Sequence, residues 1–228
     1  LVTTGPLLGA SARLVRRGSQ GVIRVDSNIL NEGQRRFCVA HELGHFILHE
    51  KRGQLELCAS EAMFPWYRSS GQEPEADAFA GELVMPEELF RRLSGKGPNH
   101  ELLEALADTF RVTITAAAYR YVELGVDVCA VVVCKGGSIK WFRAGPDFRF
   151  RLRAPKTLVD GRTCAADLFR EGCSAKLDED VPAEAWLDDV HVESHWTIRE
   201  ALFPMPSYDS TLSILSVVPG SGLDKADL

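Results

Sequence analysis

The fold of this protein is decided by residues 36–49, which read RFCVAHELGHFILH. Apolar side chains recur there every three to four positions, and this spacing predicts an amphipathic helix over about residues 34–49. Within it, His41 and His45 stand four residues apart, which places both imidazoles one turn apart on the same helix face. The sequence H-E-x-x-H therefore predicts a helix that presents two histidines to one zinc ion.

Glu42 follows the first histidine of this motif directly. A carboxylate in that position can act as a general base and take a proton from a water molecule at the metal. Neutral imidazole ligands leave the zinc ion with its positive charge, and this charge lowers the pKa of such a water toward neutrality. The motif therefore favours a hydrolytic enzyme with Glu42 as its catalytic residue.

A catalytic zinc site also needs a third protein ligand and an open fourth position. Glu73 and Asp77 are four residues apart, so on one helix they share a face. We favour Glu73 as the ligand and Asp77 as the residue that holds a ligating histidine through its second ring nitrogen. Glu75 stays open as the alternative ligand, because Pro74 leaves the start of the helix undetermined. The same carboxylates would also suit the first turn of a helix without any metal.

Two blocks of sequence resemble a known family. They are residues 36–49 and residues 73–86, the latter reading E-x-E-A-D-x-F-A-x-E-L-V-M-P. In residue type, order and separation they resemble the ImmA/IrrE family of metallo-endopeptidases, which are zinc peptidases of the gluzincin type. The resemblance implies Zn²⁺ as the cofactor and assigns the site residues as follows: His41, His45 and Glu73 as metal ligands, Glu42 as the base, and Asp77 as the partner of a ligand.

The same resemblance implies a substrate class. Members of the family cleave or clear helix-turn-helix repressors of the XRE type, and so switch on stress-response or mobile-element genes. An XRE-type repressor is therefore the expected partner. The segment from Ala59 to Gln72 departs from the family pattern, and Tyr67 within it is a candidate hydrogen-bond donor to the transition state. The strand predicted over residues 21–27 is a candidate site for substrate backbone to add as an antiparallel strand.

The predicted fold class is α+β, with three parts. A zincin-like peptidase domain is expected over residues 1–98. By resemblance to the IrrE branch, a helix-turn-helix-like connector of two helices follows over residues 99–125, and an α/β GAF-like regulatory domain over residues 126–228. In this last part the pattern predicts strands over residues 128–134, 139–142, 148–153 and 211–218, a hairpin turn at residues 135–138, and a helix over residues 165–170.

Composition narrows the class of protein further. The chain has 228 residues with 26 basic and 32 acidic side chains, a net charge of −6, which opposes a general nucleic-acid binder. The predicted connector also carries more acidic than basic residues, so direct DNA binding is not expected. No apolar run reaches the length of a membrane span. Six cysteines without a C-x-x-C pair are typical of a reducing compartment, and we expect a cytoplasmic protein.

Other interpretations remain open at this point. The protein could be a non-catalytic sensor or adaptor that binds a repressor or a small ligand, with a structural metal site, or a regulator that binds DNA directly. His49 lies one turn beyond His45 and is a further candidate metal ligand. We favour a different role for it, because a histidine at a helix C-terminus more often interacts with the helix dipole or makes a surface hydrogen bond. For His191 and His195 we favour an ordinary place on the polar surface over a second metal site.

Overall fold

The computed structural model describes residues 1–49, 56–59, 72–171, 177–189, 191–205 and 208–225. Within these ranges the chain is a mixed α+β protein with six helices and two sheets. The chain divides into two compact units, the first comprising Leu1–Arg92 with Ala107–Thr113 and the second Leu93–Leu106 with Ile114–Leu228. None of the helices in these ranges has the length and apolar character needed to cross a membrane.

The first unit combines a four-stranded sheet with the helices that carry the sequence motif. The strands are β1 Val2–Gly5, β2 Ala10–Arg17, β3 Gln20–Asp26 and β4 Glu56–Ala59. The helices that begin in this part of the chain are α1 Glu32–Leu48, α2 Glu73–Val84 and α3 Glu87–Leu93. In the described residues the strand order is β1-β3-β2-β4, with β1 parallel to β3 and the other neighbours antiparallel.

The predicted motif helix is confirmed as α1, which begins two residues earlier than expected. Asn31 caps it, since its side chain accepts a hydrogen bond from the backbone N–H of Gln34 at 2.9 Å. Val39, Leu43 and Phe46 on one face of α1 pack against the apolar side of the sheet. The face that bears the histidines is left for contact with α2.

Strand β3 is paired on both sides. Ile23, Arg24 and Val25 are in register with β1 on one side and with β2 on the other. The prediction that substrate backbone adds to residues 21–27 is therefore wrong, because the middle of this strand has already used its hydrogen-bonding groups. In the described part of the sheet, the outer strands are β1 and β4.

The predicted pair of helices after residue 100 is confirmed as α4 His100–Phe110 and α5 Ile114–Glu123. The turn between them packs against the first turn of α1. A Cβ atom on Gly33 would lie 2.6–2.8 Å from backbone atoms of Val112 and Thr113, a distance that only glycine tolerates. The turn is therefore part of the packing of the first unit.

The second unit is built around an antiparallel sheet with the order β6-β5-β9-β8-β7 in the described residues. Its elements are β5 Cys129–Lys135, β6 Ser138–Ala144, α6 Cys164–Glu171, β7 Asp178–Pro182, β8 Thr197–Met205 and β9 Ser210–Ser216. The predicted hairpin between β5 and β6 is confirmed, with Gly136 and Gly137 at φ 54° and 72° as a two-residue turn of this kind requires.

The strand predicted over residues 148–153 is wrong. Phe148, Phe150 and Leu152 are buried as the alternation predicts, but Leu152 makes only an isolated bridge to Leu187. The two phenylalanine rings pack edge to face at 5.6 Å, and the guanidinium of Arg153 donates to the carbonyl of Glu184 at 2.8 Å. Backbone hydrogen bonds to residues 186–188 are confined to the end of the segment, and side-chain contacts hold the rest in place.

Candidate metal centre

Helices α1 and α2 bring three predicted ligands together. One ligand atom from each of His41, His45 and Glu73 lies within 4.8 Å of the other two. The Nε2 atoms of the two histidines are 3.0 Å apart. The carboxylate oxygens of Glu73 lie 3.3 Å from Nε2 of His41 and 3.4 Å from Nε2 of His45. The three side chains therefore converge on one point.

This donor set fits a zinc ion. Two imidazoles and one carboxylate form a recognised set of ligands for catalytic zinc. Donor atoms about 2.0–2.1 Å from a tetrahedral ion stand about 3.4 Å apart, and the three separations measured here are close to that value. His41 and His45 are buried, whereas the side chain of Glu73 is 25% exposed. Solvent can therefore approach the site from the side of Glu73.

Asp77 lies behind His41, on the side of the ring away from the convergence point. Its Oδ1 atom is 2.7 Å from Nδ1 of His41, and both side chains are buried. With a carboxylate at Nδ1, the proton of the neutral ring is held on that nitrogen, which leaves Nε2 free of a proton and able to bind a metal. The geometry is the one expected of a residue that orients a metal ligand.

Glu75, the alternative ligand, points elsewhere. Its Oε2 atom lies 2.9 Å from Nε2 of His49, and the side chain is 68% exposed. His49 in turn has its Nδ1 atom 3.0 Å from Nδ1 of His45. Sequence reasoning weighed His49 and Glu75 separately as metal ligands and missed that they meet each other. The available signal was that His49 lies one helical turn beyond His45.

Glu42 is completely buried on the same helix as the two histidines. Burial of a carboxylate costs free energy, because the charged form loses its hydration. A carboxylate that is kept in the interior beside two histidines is typical of a group retained for chemistry.

Arg16 of β2 holds the C-terminal end of α1 in place, a role that no motif in the sequence indicates. Its guanidinium Nη1 atom donates to the carbonyl oxygens of Phe46 and His49, at 2.8 and 3.1 Å. The guanidinium carbon also lies 4.5 Å from the centre of the Phe46 ring, within the range of a cation–π contact. The last turn of α1 is therefore tied to the sheet.

Gly44 allows the two ligand-bearing helices to approach closely. A Cβ atom at this position would lie 3.1 Å from both Cα and the carbonyl oxygen of Ala76 in α2. Alanine in place of a mid-helix glycine normally stabilises a helix by about 0.5–1 kcal/mol. Overpacking costs about 1–3 kcal/mol, and the backbone of α2 cannot yield without moving Glu73 and Asp77.

We therefore expect Gly44→Ala to lower the free energy of unfolding by about 1–2 kcal/mol and to weaken zinc binding. Urea unfolding and a zinc titration in competition with a chelator measure the two effects. Gly95→Ala is the matched control, because nothing lies within 4 Å of a Cβ built there. Wild-type zinc affinity in Gly44→Ala would contradict the close packing of α1 on α2.

The remaining candidate residues lie apart from this centre. His191 and His195 are exposed, and His195 is 3.5 Å from Glu193. Within the described ranges, no second group of three side chains is arranged to hold a metal ion. Tyr67 lies outside the described residues.

Comparison with known proteins identifies the family of this part of the chain. A search of curated proteins finds no match. The sequence model of the Peptidase_M78 family, described as the IrrE N-terminal-like domain, matches residues 5–121, just over half of the chain. This range contains the three convergent side chains, the buried Glu42 and the whole of α1 and α2. The chain therefore belongs to the ImmA/IrrE family of metallopeptidases.

Proposed function

We propose that the protein is a zinc-dependent endopeptidase in which His41, His45 and Glu73 bind the ion and Glu42 transfers the proton. The observation that carries this proposal is the convergence within 4.8 Å of three ligand atoms from α1 and α2, with the completely buried Glu42 next to His41 on α1. When bound, zinc supplies a Lewis acid that polarises the scissile carbonyl and makes water a nucleophile near neutral pH.

The residues of the chain divide the remaining work. Glu42 accepts a proton from the attacking water and then passes it to the leaving amine. The carboxylate of Asp77 accepts the Nδ1–H of His41 and keeps Nε2 of that ring turned toward the site. Glu73 approaches from the second helix, and its partial exposure keeps a path for solvent and substrate on that side.

For the substrate we propose an XRE-type helix-turn-helix repressor, whose cleavage would derepress stress-response or mobile-element genes. Membership of the ImmA/IrrE family supports this class. For the second unit we propose a GAF-like regulatory role, supported by its antiparallel sheet with α6 held at β8.

We also propose a cytoplasmic location, supported by the state of the thiols. Cys129, Cys134 and Cys164 are buried and form no disulfide. Burial raises the pKa of Cys134 and of Cys164 to about 12, so both thiols stay protonated at neutral pH. Thiols of this kind suit a reducing compartment.

The proposal is tested by metal content together with cleavage. Wild-type protein supplied with zinc is expected to retain about one zinc ion per chain by elemental analysis, and the double variant His41→Ala/His45→Ala to retain none. Incubation with a repressor encoded near the gene is expected to give specific fragments with the wild type alone. A folded wild-type protein that takes up no zinc would refute the proposal, and zinc uptake without cleavage would favour the adaptor.

A further inference from the structure

The two histidines of the metal centre are supported in different ways. His41 contacts the buried carboxylate of Asp77 directly. His45 instead contacts a second imidazole, that of His49, whose other ring nitrogen contacts Glu75. A line of hydrogen bonds thus runs from Nδ1 of His45, across the ring of His49, to a carboxylate at the surface.

The protons along this line can be placed in only one order. His45 turns Nε2 toward the convergence point, so a neutral ring that binds metal there carries its proton on Nδ1. That N–H donates to Nδ1 of His49, at 3.0 Å, which must therefore accept. His49 then carries its own proton on Nε2 and donates it to the carboxylate of Glu75, at 2.9 Å. Each donor has an acceptor, and the last acceptor is an anion.

The middle of this line is held firmly. The side chain of His49 is only 4% exposed, whereas that of Glu75 is 68% exposed. The backbone carbonyl of His49 accepts a hydrogen bond from Arg16 at 3.1 Å, which fixes the end of α1 from which the ring projects. The ring of His49 is therefore placed by the protein interior, and Glu75 selects which of its nitrogens carries the proton.

We propose that His49 and Glu75 form a positioning pair that sets the tautomer and the orientation of His45 for metal binding. The inference rests on the proposed function and deepens it, because it adds two residues that do not touch the ion. Hydrogen-bond partners behind a metal ligand typically account for about 10–100-fold in metal affinity. We expect an effect of this size from His49, which contacts His45 directly. Glu75 acts on His45 only through His49.

The test compares zinc dissociation constants, measured by chelator competition, across substitutions that keep or remove the hydrogen bonds. His49→Leu has no polar group and is expected to weaken binding about 10–100-fold. His49→Gln can accept through its amide oxygen and donate through its amide nitrogen, so it should recover part of this loss. Glu75→Gln should bind more tightly than Glu75→Ala, because the amide oxygen still accepts from His49. Glu88→Gln is the control, an exposed carboxylate on α3 paired with Arg92.

Two readouts separate positioning from a general loss of structure. Without metal, the variants are expected to unfold at the same midpoint urea concentration as the wild-type protein. The visible absorption bands of the Co²⁺-substituted protein are expected to shift in His49→Leu and to return toward the wild-type position in His49→Gln. Equal zinc affinities in the wild type and His49→Leu would overturn the positioning role and leave the proposed function intact. A wild type that binds no zinc would overturn both.

Discussion

Peptide hydrolysis is expected to fall by about 10²–10⁴-fold when Glu42 is replaced by glutamine, while the zinc content stays unchanged. Glutamine has nearly the shape of glutamate, so the buried volume at this position is preserved. The amide cannot accept the proton of the attacking water, and it has none to return to the leaving amine. The loss should therefore appear in kcat, with substrate binding little affected.

The measurement is kcat and KM for cleavage of a repressor or a peptide derived from it, with metal content determined on the same samples. Glu88→Gln serves as the control for loss of a carboxylate in the same part of the chain, because its side chain is 87% exposed on α3. If Glu42→Gln cleaves at the wild-type rate, Glu42 is not the base.

Replacement of Glu200 by alanine is expected to destabilise the second unit by about 4 kcal/mol. The carboxylate is completely buried in β8 and accepts four hydrogen bonds of 2.8–3.0 Å. The donors are the backbone N–H groups of Cys164 and Ala165 at the start of α6, the indole N–H of Trp186, and the hydroxyl of Ser213. Each buried donor left without an acceptor costs about 1–3 kcal/mol, and local relaxation recovers part of the sum.

The charge of this carboxylate is under opposing influences. Burial raises the pKa of Glu200, whereas the hydrogen bonds favour its ionised form and act in the opposite direction. Glu200→Gln retains one accepting oxygen but turns an NH₂ group toward other donors, so we expect an intermediate loss of stability.

Urea unfolding followed by tryptophan fluorescence measures this effect, since the indole of Trp186 contacts Glu200 directly at 3.0 Å. Glu101→Ala, on the exposed side of α4, is the matched control. A loss of less than about 1 kcal/mol in Glu200→Ala would show that the four donors find other acceptors.

Local spacing in the sequence was enough to predict the helix that carries two of the candidate ligands. A helix repeats every 3.6 residues, so two histidines four positions apart must share a face, and α1 places His41 and His45 as this rule requires. The same rule paired Glu73 with Asp77 on α2, where Glu73 meets both histidines of α1 and Asp77 meets His41. Regular spacing within each helix is thus sufficient to identify the residues that α1 and α2 contribute to the candidate site.

Contacts between distant segments could not be predicted in this way. Alternation over residues 148–153 revealed which side chains are buried, but not that a partner strand is lacking over most of this segment. Apolar patterning likewise identified β3 without showing that β1 and β2 would flank it. A periodic pattern in the sequence indicates which face of a helix or strand is buried. It does not indicate which other element packs on that face, because this depends on the whole fold.

The pairing of His49 with Glu75 belongs to this second class. Each residue was visible as a candidate ligand, yet their contact depends on how α1 packs on α2 at Gly44. Glu200 offered a simpler signal, a charged residue that alternates with the apolar Ile198 and Leu202 on one face of β8. A carboxylate at such a position predicts buried hydrogen-bond donors around it.

The course of the chain through its two units bears on how such a protein can evolve. The first unit is made of Leu1–Arg92 with Ala107–Thr113, and the second takes the rest, so the backbone passes from one to the other three times. A single recombination event with its crossover between residues 92 and 114 would therefore separate part of one unit from the rest of that unit. Inheritance of the peptidase unit with a different C-terminal unit requires that the turn between α4 and α5, which packs against Gly33, be kept with the peptidase.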